Sequence, residues 1–492
     1  MSPLRPAHAT LRHRLRVGLT MAAPLALLLS GCAAVGPDFQ APTAKLDPFH
    51  NEDAVAARAA KTPAPPLDTW WEGFNDPVLT RLVTRALDQN LDLAASMQRV
   101  EQARAVAKGA GAKLMPKGGL DVSMEPIHQS VESPLGALGN AVAGPGFDPN
   151  QTVYDVGVSA SWEVDLFGGL RRGAEAADAE FRVAEALHAG ERVSVAAEVA
   201  DAYLQVRGDQ ARIAVAEEQV RTDQHLLDLV KEQFSRGIVT DRQIAQAEAL
   251  LSHARASFQP LRIDLEMQLN KLDVLMGAQP GTYAAELRAV ADIPAVPAVG
   301  GGDQPVDMLR RRPDIIAAET RLMVTNARIG QAVAEYYPKL SLSGVVGFES
   351  LAAGDMFQGN TFQPLAVFGL RWRLFDFGRV DAEVEQAKGA DAEALIRYRQ
   401  SVLRAAQDVE NAFVALVQWE AHADELRREV DALTRARDSS QEAYRGGLIA
   451  LTDVLDADRQ LLAAQDELAR TRADAARAAV ASFRALGGGW KA

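Results

Sequence analysis

The chain has 492 residues, a formal net charge of −13, and is 48% hydrophobic, 6% aromatic and 24% charged. That composition supports a packed core rather than a disordered chain, and the length exceeds one ordinary core. The acidic balance speaks against a nucleic-acid phosphate binder, and a single cysteine excludes an internal disulfide or a multi-cysteine zinc site.

The chain opens on a targeting segment. Arg5, Arg12, Arg14 and Arg16 form a positive region, Val17 to Leu29 is a short apolar run, and Leu29-Ser30-Gly31-Cys32 follows. This is the pattern of a secretory signal peptide, too short for a stable span. The last four residues resemble the bacterial lipobox, in which the cysteine becomes the lipidated mature N-terminus. By that resemblance Cys32 carries an N-palmitoyl and an S-diacylglycerol group, and Ala33 in place of aspartate favours sorting to the outer membrane. Removal of residues 1–31 leaves the chain four charges more acidic. No later apolar run reaches the roughly 18–20 residues of a spanning helix.

The remainder reads as a duplication. Asn90 to Lys117 aligns with Arg312 to Lys339 at an offset of 222, pairing Asp92 with Asp314 and Pro116 with Pro338. Further on the offset is 210, pairing Trp162 with Trp372, Gly168 with Gly378 and Gly237 with Gly447. The difference leaves 12 extra residues in the first copy, in a Gly- and Pro-containing stretch from Gly136 to Pro149 that reads as a longer loop.

Each copy has the order helix, strand hairpin, two long helices. Tyr154, Val156, Val158, Ala160, Trp162, Val164 and Leu166 alternate with Asp155, Gly157, Ser159, Ser161, Glu163 and Asp165. Ala366, Phe368, Leu370, Trp372 and Leu374 alternate with Val367, Gly369, Arg371 and Arg373. Weaker strands lie near Leu120–Glu125 and Leu340–Glu349. This alternation fits a half-buried sheet or a membrane β-barrel. Four strands cannot close a barrel, so a membrane reading requires strands from several protomers. Arg171–Arg236 and Arg379–Arg445 are rich in Ala, Glu, Gln, Arg and Leu, and predict helices of roughly 100 Å. After breaks at Gly237 and Gly446-Gly447, Asp241–Met276 and Leu451–Leu486 predict returning helices.

These motifs, in this order, resemble the TolC-like outer membrane factors of the OprM/NodT lipoprotein type. The resemblance is carried by Cys32 with Val35-Gly-Pro-Asp-Phe39, Trp70-Trp71 with Phe74, Asp76 and Pro77, and Ser161-Trp-Glu-Val-Asp-Leu-Phe-Gly168. It is also carried by Arg311-Arg-Pro-Asp-Ile315, Leu374-Phe-Asp-Phe-Gly378, and Tyr444-Arg-Gly-Gly-Leu448 with Asp453-Val-Leu-Asp456. It implies an α+β membrane protein: a homotrimer whose twelve strands close a transmembrane β-barrel, continued by a periplasmic α-helical barrel with an equatorial domain. The expected divisions are signal 1–31, lipidated linker 32–75, first repeat 76–276, equatorial linker 277–305, second repeat 306–486 and tail 487–492. The implied function is the outer-membrane duct of a tripartite efflux pump for drugs or other small molecules. A periplasmic adaptor and an inner-membrane pump (RND, MFS or ABC) would load it. A protein-secretion duct and a non-pore structural lipoprotein are the alternatives.

No catalytic motif is present: there is no HExxH, no GxxxxGK[ST] and no paired cysteine. No cofactor or metal is expected. By resemblance, Tyr444, Asp453 and Asp456 belong to the periplasmic gate; the two aspartates share a helix face, and three copies give six carboxylates that favour cations. The gate departs from the family pattern at Ile449, and in the first repeat at Arg242 and Gln243. Gly237, Ile238 and Val239, with Gly447, Leu448 and Ile449, are expected at the hairpin tips, where the resemblance places the adaptor. Trp70 and Trp71 are expected to pack in the equatorial region; Trp162 and Trp372 fit either a membrane-interface belt or a core.

Overall fold

The computed structural model describes residues 34–42, 47–51, 55, 64–300 and 310–491. Cys32, the signal segment and part of the linker 277–305 lie outside the described residues. The chain divides into two compact units. One holds residues 1–41, 102–181 and 320–395; the other holds 42–101, 182–319 and 396–492.

The first unit is built on one antiparallel sheet in the order β1-β2-β3-β4. Its strands are β1 (Lys117–His128), β2 (Asn150–Val164), β3 (Lys339–Ser350) and β4 (Phe362–Arg371). β1 and β2 are joined by a segment containing a helix, α3 (Pro134–Ala143), capped by the Ser133 hydroxyl on the Gly136 N–H at 3.2 Å. The stretch read as a loop is thus partly helical: Pro134 at the first helical position and Ser133 as cap outweigh its glycines. β4 ends at Arg371, so Trp372 and Leu374, expected in the strand, follow it, and the Leu374 N–H turns back to the Trp372 carbonyl at 3.1 Å. Leu166 likewise lies beyond β2, with its N–H on the Val164 carbonyl.

The helices are α1 (Pro77–Gln89), α2 (Leu91–Ala112), α4 (Gly169–Ser235), α5 (Asp241–Leu275), α6 (Pro313–Val333), α7 (Arg379–Arg445) and α8 (Leu451–Ala485). α4 and α7 each run 67 residues, about 100 Å at 1.5 Å per residue, and α5 and α8 each run 35. Every boundary of these four helices obeys the 210-residue offset, and β1 and β3 obey the 222-residue offset. α5 continues through Pro260, which interrupts its hydrogen-bond ladder without ending it.

The second unit holds the main core. Trp70 and Trp71 are buried there at 0% and 4% exposure, Trp70 stacked on Phe483 with ring centroids 5.2 Å apart. Tyr203, Phe413 and Leu272 join the same core. The long helices approach closely where side chains are small: a Cβ on Gly208 of α4 would lie 2.6 Å from the Ala473 Cβ of α8. Alanines line much of this contact, including Ala476 and Ala479. Among the described residues, no helix is long and apolar enough to cross a membrane.

Candidate functional site: the strand sheet and the helical tips

The register of the sheet sorts its side chains into two faces. Leu120 pairs with Val158, Val158 with Val346, and Val346 with Pro364. Trp162 pairs with Leu342, and Leu342 with Phe368. This face is apolar across all four strands, and its members stay exposed in the single chain: Leu120 70%, Val158 58%, Val346 57%, Phe368 77%. The opposite face carries Asp121, Ser123 and Glu125 of β1, Asp155, Ser159, Ser161 and Glu163 of β2, Ser341, Ser343 and Glu349 of β3, and Gln363 and Arg371 of β4. Apolar and polar faces at period two, on strands of 10 to 15 residues, are the signature of a membrane barrel wall. A half-buried soluble sheet would put its apolar face against a core; here that face is uncovered in the chain.

Trp162 and Trp372 share one local role. Each indole N–H donates to a backbone carbonyl at 2.9 Å: Trp162 to Leu114, Trp372 to Tyr336. These acceptors are themselves related by the 222-residue offset, so each tryptophan ties the end of its hairpin to the segment preceding the first strand. Both remain partly exposed, which agrees with an amphipathic ring at a polar boundary.

The turn from β2 into α4 also holds the chain's N-terminal segment. The Val35 N–H donates to the Phe167 carbonyl at 3.0 Å, and the buried Arg172 reaches the Val35 carbonyl at 3.2 Å and the Asp38 carboxylate at 2.7 Å. Gly36 has φ +92°, and a Cβ there would sit 2.4 Å from the Gly330 Cα. The Val-Gly-Pro-Asp motif is therefore a docking segment, fixed three residues after Cys32.

At the other end of the long helices both tips end in the same way. Gly237 and Gly447 have φ +73° and +72°, a conformation glycine adopts without a Cβ clash. The Ile238 N–H returns to the Gln233 carbonyl at 3.0 Å, and the Leu448 N–H to the Ala443 carbonyl at 2.9 Å, closing a Schellman pair. Ile238 and Leu448 then point outward, 67% and 81% exposed, while Val239 and Ile449 are half-buried. Val239 packs on a small tip core of Leu227, Val230, Ala247, Leu251 and Leu451.

The expected gate residues have local partners. The Asp453 carboxylate caps α8 by accepting the Ala450 N–H at 3.1 Å. Gln243, at the equivalent place in α5, accepts the Thr240 N–H at 2.8 Å. Asp456 is bound by Arg459 and by the Gln460 amide at 2.7 Å. Asp453 and Asp456 are exposed, one turn apart. Tyr444 packs on the tip core and donates its hydroxyl to Gln233 Oε1 at 2.7 Å, across to α4. The tyrosine is thus joined to the opposite helix rather than to either aspartate. Arg242 is exposed.

Two buried polar assemblies of the second unit were only partly visible as motifs. Asp76 caps α1 by accepting the Val78 N–H at 2.8 Å and takes the Tyr203 hydroxyl at 2.5 Å. Arg207 donates to Tyr203, to Gln210 and, at 2.6 Å, to the Ala289 carbonyl, fixing the segment after α5 to the middle of α4. Burial and the Asp76 bond both push the Tyr203 hydroxyl pKa well above its ordinary value, so it acts only as a neutral donor and acceptor. Arg312 grips Asp314 through two bonds of 3.0 and 2.9 Å, Asp408 at 3.0 Å and the Ala485 carbonyl at 2.8 Å, joining the start of α6, the middle of α7 and the end of α8. Among the described residues no group of three or more His, Cys, Asp or Glu side chains is placed to hold a metal ion.

Comparison with known proteins agrees with this architecture. The family described as outer membrane efflux protein matches residues 82–278 and 305–488, two segments that correspond under the internal offsets. The pyoverdine export outer membrane protein OpmQ of Pseudomonas putida is 31% identical over 95% of this chain and 97% of its own length. Nodulation protein T of Rhizobium leguminosarum bv. trifolii is 28% identical over 94% of this chain and 96% of its own. The solved outer-membrane channel OprN superposes with a TM-score of 0.83 at 31% identity, covering 93% of this chain and all of that one. A wall-like sheet, paired long helices with matched tips, and family coverage of both repeats lead to one assignment: the chain belongs to the outer membrane efflux protein family.

Proposed function

We propose that three copies of this chain form the exit duct of a tripartite pump that expels small molecules across the outer membrane. The observation that carries this reading is the sheet: one face apolar from β1 to β4, the other holding all its carboxylates and most of its serines, with Val345, Leu365 and Val367 toward β4, and both β1 and β4 left with an open edge. Lipid tolerates neither an open edge nor an unsatisfied backbone, so such a sheet requires partners on both sides. Three copies supply twelve strands and close it, with the apolar face to lipid and the serines and carboxylates to water. The α4–α5 and α7–α8 pairs would continue the wall into the periplasm, and residues 277–305 with the tail 487–492 would contribute the equatorial belt.

Cys32 is the lipid attachment in this reading, with a palmitoyl and a diacylglycerol group. Docking of residues 35–38 on the β2–α4 turn supports it, because these residues follow Cys32 within six positions of sequence. Ile238 and Leu448 are the contacts for a periplasmic adaptor: burying each contributes about 1.5–3 kcal/mol. Asp453 and Asp456, repeated by symmetry, form a cation-preferring constriction. An inner-membrane pump supplies the energy. The export of pyoverdine by OpmQ, as its name states, supports small-molecule cargo. The test is a strain deleted for this gene and challenged with a panel of toxic compounds. Complementation by the full chain should restore resistance to at least one; restored secretion of a protein with no change in resistance would overturn the cargo assignment.

A further inference from the structure

A cleft of about 430 Å³ lies among α4, α5 and the first half of α8, lined by none of the tip residues. Its size falls in the range that holds a small organic ligand. It exists because the helices carry small side chains here, Ala254 on α5 and Ala463 on α8, and because α5 is interrupted by Pro260, which has no N–H for the carbonyl of Ala256. Half of the lining is aliphatic, with Val215, Leu250, Leu261 and Leu462 beside these alanines.

One side chain in this lining is out of keeping with it. Asp223 of α4 is 1% exposed. Its Oδ1 accepts the Gln219 amide at 2.7 Å, whereas Oδ2 has no hydrogen-bond partner. Burial and the neighbouring Asp458 of α8 push its carboxyl up to about 6, against the opposing pull of Gln219 and of His253 on α5. At neutral pH it is therefore an ionised carboxylate with one oxygen unpartnered beside aliphatic side chains, which is costly unless a counter-charge arrives.

The nearby arginines do not supply that counter-charge. Arg212 is committed to Asp466 through two bonds of 2.8 and 3.0 Å, and Arg459 to Asp456. Arg437 of α7 faces Asp458 at 3.9 Å, and Asp264 on the rim adds a further negative charge. A metal ion does not fit, since it needs several oxygen or nitrogen ligands and the described residues offer no such group. An apolar wall with a single orphaned carboxylate oxygen suits a cation that brings its own hydrocarbon. We propose that this cleft binds a compact organic ammonium ion, its charged nitrogen against Asp223 Oδ2 and its apolar body on the aliphatic side chains of α4, α5 and α8. Binding requires ionised Asp223, so affinity falls as pH drops through about 6.

The test is calorimetric titration of benzyltrimethylammonium into the full-length protein in detergent. One site per chain is expected at about pH 8, with affinity about tenfold or more weaker in Asp223→Asn, which keeps shape and the Gln219 bond but not the charge. Lowering the pH to about 5 should weaken the parent and leave the variant unchanged. Ala463→Trp fills the cleft while sparing the carboxylate and should also abolish binding. No heat from the parent at millimolar probe, equal affinity in Asp223→Asn, or full affinity in Ala463→Trp each overturns the assignment. Binding in detergent needs neither transport nor a pump, so its failure leaves the efflux reading standing.

Discussion

A buried aspartate in a long helix is the residue-scale feature the sequence hid most completely. Asp209 of α4 is fully buried, its Oδ1 bound by Gln205 at 2.9 Å and its Oδ2 unpartnered. Burial, with a contribution from Asp264, pushes its carboxyl up to about 6. Between the ordinary aspartate value near 4 and about 6, the folded chain therefore holds a proton that the unfolded chain has released. Its contribution to stability is full below about pH 4 and is lost as pH rises through about 6. Asp209→Asn should then raise the unfolding temperature at about pH 8, by up to about 3 kcal/mol of stability per chain, and leave it nearly unchanged near pH 4. Thermal scans at the two values check this; an equal shift at both contradicts it. In a 67-residue helix rich in Ala, Asp, Glu and Arg, nothing local separates Asp209 from the solvated aspartates around it. Residues with a short-range job were easier to read. Trp70 and Trp71 were expected to pack and do, and Asp76 before Pro77 is a helix start in which one carboxylate serves both as cap and as partner for Tyr203.

The strands were legible from their alternation and the long helices from their content of helix-forming residues. Alternation at period two assigned the faces of β2, and the paired strands extend those faces in register. The strand ends were less legible: the alternation runs on through Trp372 and Leu374, but pairing stops at Arg371, where the chain must turn into α7. The face assignment predicts an asymmetry between neighbours. Val158→Arg puts a charge on the apolar face and should cost about 2–4 kcal/mol and reduce membrane-assembled protein, whereas Ser159→Arg on the polar face should assemble normally and lower cation preference. Equal assembly of the two would contradict the faces; immunoblots of membrane fractions measure it. The tips give a second prediction. Leu448 is 81% exposed and outside any core, so Leu448→Glu should leave folding within about 0.5 kcal/mol and protein levels unchanged. It should nevertheless lose export, scored as drug sensitivity of the complemented strain. Retained resistance would remove Leu448 from the adaptor contact.

At the scale of the whole molecule, the duplication set the plan. Two offsets, 222 and 210, place corresponding elements of the copies, and matched lengths of 67 and 35 residues in the helices follow from it. What one chain cannot display is the proposed closure, in which β1 and β4 would find their remaining neighbours on other copies. The same holds for the proposed constriction: in one chain Asp453 caps a helix and Asp456 pairs with Arg459, and only symmetry would turn them into a ring. The departures at Ile449, Arg242 and Gln243 belong here too. Tyr444 bonds to Gln233 and so joins α7 to α4 within one chain. The most direct test of the duct is single-channel recording from the purified full chain in planar bilayers, with Asp453→Ala/Asp456→Ala recorded alongside. The account predicts discrete cation-preferring steps from a trimer, larger or less selective in the double variant. A pure, membrane-inserted protein that gives no steps in either form would contradict it.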